Sequence, residues 1–89
     1  MIAIMTVTGP DHTGIIAAVS TALAELGVNI LDVSQTIMDD YFTMILRVGF
    51  DDDATDIASI QEKMKSVEER EQLVIRVQSD ALFSAMHKI

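Results

Sequence analysis

The stretch Gly9-Pro10-Asp11-His12-Thr13-Gly14-Ile15-Ile16 collects the residue types best suited to hold a small charged molecule. It follows a run of strand-forming residues, Ile2 to Thr8, and leads into an amphipathic helix, so a tight turn delivers the chain to a helix N-terminus. The first amides of a helix lack internal partners and carry positive partial charge, which suits a carboxylate. Gly14 has no Cβ and lets a ligand approach the backbone closely. The Asp11 side chain can accept from an ammonium, so an amino-acid zwitterion is matched at both ends, and His12 can hydrogen-bond a ligand carboxylate. The same residues support a plainer reading, in which Asp11 or Thr13 caps the helix and Gly14 relieves crowding against a sheet.

Other chemistry is poorly represented. The chain has no cysteine, which removes disulfides, thiolate metal sites and cysteine nucleophiles. No second histidine or carboxylate stands at a metal-ligand spacing beside His12, and His87 is isolated in the polar part of the tail, so neither a metal nor another cofactor is expected. The acidic run at Asp51, Asp53 and Thr55 with Glu62 resembles the start of a calcium loop, but Asp56 stands where that loop needs glycine. Ser20, Thr21 and Ser34 have no base or oxyanion donors readable nearby, so no catalytic set is expected. Asn29, after Gly27-Val28, is a further amide able to satisfy loop backbone or a ligand.

Hydrophobic periodicity supplies the elements that must position the turn. Ile15, Ile16, Val19, Leu23 and Leu26 follow helical spacing from Thr13 or Gly14 to Leu26, with Gly27 as the stop. Val28 to Met38 is a second strand whose apolar parity changes between Val28/Ile30 and Leu31/Val33/Ile37, the mark of a bulge or of two partly covered faces. Asp39-Asp40 is a turn, and beyond it Phe42, Met44, Leu46, Val48 and Phe50 alternate with Tyr41, Thr43, Ile45, Arg47 and Gly49 as the second arm of a hairpin. Ile57, Ile60, Met64 and Val67 define a second helix with Asp53 or Thr55 as its N-cap, and Leu73 to Gln78 is a fourth strand. Asp80 can cap a short last helix that groups Leu82, Phe83, Met86 and Ile89. The order β-α-β-β-α-β predicts an α+β, ferredoxin-like sandwich: a four-stranded antiparallel sheet with both helices on one face and Ile2–Thr8 central. It predicts one domain over residues 1–89, with a core of 2–79 and a helical tail of 80–89. Met5, Val33, Ile37 and Ile45 are the candidates to populate the open face, which a second copy or the tail would cover.

Composition narrows the partners. Fourteen acidic residues against six basic give a net charge of −8, which repels phosphate backbones and anionic lipid, so neither nucleic acid nor a membrane is an expected partner. No apolar run approaches the roughly 18 to 20 residues that cross a bilayer, and Met1 leads straight into strand pattern rather than a signal peptide, so the expected location is the cytoplasm. An 89-residue chain that is 49% apolar buries a modest core and is expected to hide further apolar surface in a homodimer or higher homo-oligomer.

The run Thr8 to Ser20, then Leu26-Gly27-Val28-Asn29-Ile30-Leu31-Asp32-Val33-Ser34-Gln35-Thr36, then Tyr41-Phe42-Thr43-Met44, resembles the ACT domain family of small regulatory amino-acid-binding modules in its free-standing form. The pairing of Asp-x-x-Gly with Gly-x-Asn-Ile carries the resemblance, and short ACT proteins related to the glycine cleavage system transcriptional repressor look most similar. The resemblance implies a homodimer with an effector amino acid held at the interface. It implicates Asp11, His12, Thr13, Gly14 and Ile15 in the loop, with Asn29 and Ile30 on the strand. At His12-Thr13 many ACT domains carry a basic residue and proline. The implied function is regulation of amino-acid metabolism. The alternative is a ligand-free interaction module that dimerises or docks to a metabolic enzyme or transcriptional regulator; the sheet topology alone does not choose between them.

Overall fold

In a computed structural model describing residues 1–86, the apolar, β-branched run Ile2–Pro10 forms strand β1. It is followed by α1 (Ile15–Glu25), β2 (Asn29–Met38), β3 (Tyr41–Gly49), α2 (Ile57–Glu71), β4 (Val74–Ser79) and α3 (Asp80–Met86). The strands form one sheet in the order β2-β3-β1-β4, with every neighbouring pair antiparallel, so the chain adopts the α+β ferredoxin-like arrangement. β1 is a central strand, as its apolar character on both faces requires, and it runs two residues past Thr8 because Gly9 and Pro10 still face Phe42 and Tyr41 of β3.

Ala3, Met5 and Val7 of β1 pack with Phe42, Met44, Leu46 and Val48 of β3 beneath Val19 and Leu23 of α1 and Ile60, Met64 and Val67 of α2. Met5 therefore belongs to the core, fully excluded from solvent, and not to the open face. Its register explains this: Met5 stands opposite Leu46 on one side and Val77 on the other, and directly opposed residues share a face. Ile45 does lie on the open face, 42% exposed. Val33 and Ile37 are exposed but on the helix side, opposite Leu46 and Phe42, because the helices leave all of β2 uncovered. The parity change in β2 is a bulge between Ile30 and Asp32. It turns Leu31 over Gly49, where an added Cβ would lie 3.2 Å from Leu31 Cδ1, and so returns Val33 and Ile37 to the same face as Ile30.

The helix ends are set by local hydrogen bonds. α1 closes at Gly27 (φ 72°), whose amide donates to the Ala24 carbonyl while Val28 N donates to Leu23 O at 3.0 Å. The N-cap of α2 is Asp56, not Asp53 or Thr55: its carboxylate accepts from Ser59 N at 2.7 Å, and that bond holds the Asp56 pKa below its ordinary value. α3 is capped by Ser79, whose hydroxyl accepts from Leu82 N, while Asp80 already lies within the helix. The side chains of Phe83 and Met86, and all of His87 and Ile89, lie outside the described residues. Among the described residues no helix is long and apolar enough to cross a membrane.

The two sheet edges differ. On β4, Gln61 of α2 donates to Val77 O at 3.0 Å, and Glu68 of α2 accepts from Ile75 N at 2.8 Å, so two outward-facing backbone groups are already paired. On β2, among the described residues, no helix side chain pairs the backbone, and the one side-chain bond is local, from Val33 N to the Asp32 carboxylate at 3.0 Å. Glu68→Ala leaves the Ile75 amide unpaired in a half-buried position, and a loss of about 1–3 kcal/mol is expected; urea unfolding monitored by circular dichroism checks it, with the exposed Glu69→Ala as a near-neutral control.

Candidate functional site

The loop between β1 and α1 starts where β1 meets two other segments. Asp11 N donates to Asp40 O at 2.7 Å, tying the loop to the β2–β3 turn, where Asp39 takes a positive φ of 54°. On the opposite side Gly9 lies against the α2–β4 junction: an added Cβ would sit 2.8 Å from Leu73 Cδ2 and 3.1 Å from Gln72 O. The close approach falls at Gly9, a position whose role its sequence context did not reveal.

Gly14 serves a different purpose. It is the N-cap residue of α1 with φ 94°, a left-handed conformation that glycine adopts without steric penalty. A Cβ there would meet nothing within 4 Å, so Gly14 relieves no crowding against the sheet. No side chain caps α1, neither Asp11 nor Thr13, and no acidic residue stands in its first turn. The positive end of the α1 dipole thus opens onto space beside an exposed Asp11 and Thr13. Ile15 buries its side chain in the core, so what it offers the loop is its backbone amide.

His12 is tied down within the protein. Its Nε2 lies 2.9 Å from the carbonyl oxygen of Glu71, the last residue of α2, and its Nδ1 lies 3.1 Å from the Thr13 carbonyl. The Glu71 carboxylate is 3.8 Å from Nδ1. These carbonyls, Glu71 first and Thr13 second, raise the His12 pKa above its ordinary value. The contact joins residues 59 apart, and the sequence offers no signal for it.

Asn29 and Ile30 are exposed at the start of β2, yet one chain does not bring them to the loop. Asn29 faces Gly49, which on its other side faces Ile2, whereas Asp11 follows Pro10 at the far end of β1. At a rise of about 3.3 Å per residue, the length of β1 separates the two groups by about 26 Å. A cavity of about 570 Å³ lies elsewhere, between α2, β4 and α3, with Met64, Ile75, Val77 and Leu82 among its walls. Among the described residues no group of three or more histidine, aspartate or glutamate side chains is placed to hold a metal ion.

The sequence profile of the ACT domain matches residues 1–78, which spans both the loop and the start of β2. The chain belongs to the ACT domain family. A UPF0237 protein of Corynebacterium glutamicum is 71% identical over the whole length of both chains, so this ACT protein falls among short single-domain relatives. An ACT domain protein from Streptococcus pneumoniae superposes with a TM-score of 0.81 at 42% identity, covering 98% of each chain. A glycine cleavage system transcriptional repressor, so described provisionally, shares the fold with a TM-score of 0.69 at 17% identity, covering 86% of this chain and 44% of its own.

Gly9 at the end of β1 and Gly14 at the start of α1 are separable by substitution. Gly9→Ala pushes a Cβ into backbone as well as Leu73 and is expected to cost about 1–3 kcal/mol. Gly14→Ala meets no neighbour and is expected to cost about 1–2 kcal/mol from the left-handed backbone alone. Denaturant unfolding of both variants checks the values, and crystal structures would show the α2–β4 junction displaced only in Gly9→Ala.

Proposed function

We propose that the protein is an amino-acid-binding regulatory module of amino-acid metabolism that works as a homodimer. The observation that carries the reading is the uncapped N-terminus of α1, opened by Gly14 in the left-handed conformation next to exposed Asp11. The effector carboxylate takes the free amides at Gly14 and Ile15, and the Asp11 carboxylate faces the ammonium. ACT family membership supports the ligand class.

The separation of Asn29 and Ile30 from the loop gives the dimer a specific task. Among the described residues β2 is an edge that no helix covers, with only Val33 N paired by a side chain, that of its neighbour Asp32, whereas two outward groups of β4 are paired by Gln61 and Glu68 of α2. Two copies joined antiparallel along β2 set the beginning of one β2 beside the end of the other. The loop follows that end, because Asp11 is hydrogen-bonded to Asp40 on the β2–β3 turn. Asn29 and Ile30 of one copy then approach the Asp11–Gly14 loop of the other, and Asn29 completes the polar contacts to the effector. The same pairing shields Val33, Ile37 and Met38, which are 45%, 54% and 70% exposed in the single chain.

Those exposed side chains also favour the second reading, a ligand-free module whose β2 surface only joins it to a metabolic enzyme or regulator. Light scattering followed by isothermal titration with glycine, serine and the branched-chain amino acids separates the two. Saturable binding is expected, abolished by Gly14→Asp with the dimer intact, since aspartate tolerates a positive φ better than most residues but places its charge in the cradle. Asn29→Ala is expected to weaken binding about 10- to 100-fold, the loss of one hydrogen bond to a charged group. A stable dimer that binds none of these compounds supports the interaction module instead.

A further inference from the structure

We propose that His12 is a proton-operated clasp that holds the Asp11–Gly14 loop most firmly to the end of α2 when its imidazole carries both protons and loosens its hold when one is lost. The geometry is specific. Both ring nitrogens face main-chain carbonyl oxygens, Glu71 at 2.9 Å and Thr13 at 3.1 Å, and a carbonyl can only accept. The imidazolium donates to both at once. Neutral imidazole has a single N–H, so in either tautomer one nitrogen lone pair is turned against a carbonyl lone pair.

The surroundings favour the doubly protonated ring. Glu71 O is among the last carbonyls of α2, at the negative end of the helix dipole. The charged groups that act on His12 are Glu71 at the end of α2 and Asp11 on its own loop, with Arg70 beside Glu71 along α2. Arg70, the one cation in the set, is turned onto Glu71 Oε2 at 3.2 Å. The shift of the His12 pKa is upward from 6.5. A group whose folded pKa is raised contributes stability that is complete below its unfolded value and disappears as pH rises through the folded one. The clasp is therefore tightest in mild acid and loosens on the alkaline side of 6.5, where the neutral ring keeps at most one of its two carbonyl bonds.

What it closes upon gives the clasp its role. Glu71 leads directly into Gln72, which is left-handed at φ 58°, and Leu73, which lies against Gly9 at the other end of the same turn. His12 and Gly9 thus grip one junction from two points, and the loop between β1 and α1 is held where it must present its amides. On the reading of that loop as an effector site, effector affinity falls as the imidazole loses its proton, which makes His12 a positioning residue and not a ligand contact.

The deciding experiment is an NMR titration of the ligand-free protein from pH 5 to 9, following the imidazole of His12 and the backbone amides of Thr13, Gly14, Gln72 and Leu73. His87→Gln removes the other histidine signal. The expected result is a His12 pKa above 6.5 that reappears as the midpoint for Gln72 and Leu73, far along the chain, and vanishes from both in His12→Gln. Thermal melts are expected to show the wild type's advantage over His12→Gln shrinking as pH rises. A His12 pKa at or below 6.5, or Gln72 and Leu73 amides that do not follow it, overturns the clasp. Because this titration uses no ligand, an effector screen that finds no binding at pH 6 or 8 overturns the amino-acid reading alone.

Discussion

Everything in this domain is built around a strand that has no free side. β1 is hydrogen-bonded to β3 along one edge and β4 along the other, and Ala3, Met5 and Val7 are wholly excluded from solvent beneath the helices. The backbone of such a strand can meet further parts of the chain only at its ends. At its C-terminal end the β2–β3 turn arrives from one side and the α2–β4 junction from the other, and Gly9 to Gly14 must thread between them into α1. The shape of the candidate site is therefore a consequence of core packing: the loop has its geometry because its two neighbours are fixed by the strands that flank β1.

Electrostatics then gives that loop a character opposite to the rest of the molecule. The chain carries a net charge of −8, and most of its surface repels anions. At the start of α1 there is no acidic side chain in the first turn and no side-chain cap, so backbone partial charges are left to act outward. Gly14 contributes by its φ angle and not by its lack of bulk. Asp11 stands next to this positive end, which places both signs of charge within one short turn.

Much of this was legible in the sequence, and what was not has definite causes. The strict alternation of β3 revealed its core face, because period-two patterns are unambiguous when one face is buried and the other is not; the parity break in β2 allowed either a bulge or two partly covered faces, and the structure has the bulge. β1 defeats the same logic: Ile4 and Met5 are both buried, so its parity is silent and Met5 is misassigned to the open face. The caps at Asp56 and Ser79 were each missed by a residue or more, because Asp53, Thr55, Asp56, Ser79 and Asp80 are all competent cap residues and only backbone conformation chooses among them. Asp11 and Asn29 look like neighbours in a list of polar positions, but a β-α-β crossover starts its two strands at the same end and so sets them at opposite ends of the sheet. The contact from His12 to Glu71 spans the chain and leaves no trace in local pattern.

The unequal edges of the sheet govern what kind of assembly the chain can build. A sheet with two open edges is a monomer that can be added to at both ends, and strand addition then has no natural stopping point. Here Gln61 and Glu68 occupy backbone groups on β4 that a further strand would need. Among the described residues β2 is the less occupied edge, so a pairing along β2, as proposed, would leave in each copy only the partly filled β4 edge for further strand addition. The device is small, two side chains on a helix that is present for other reasons, and it discourages open-ended strand addition at β4.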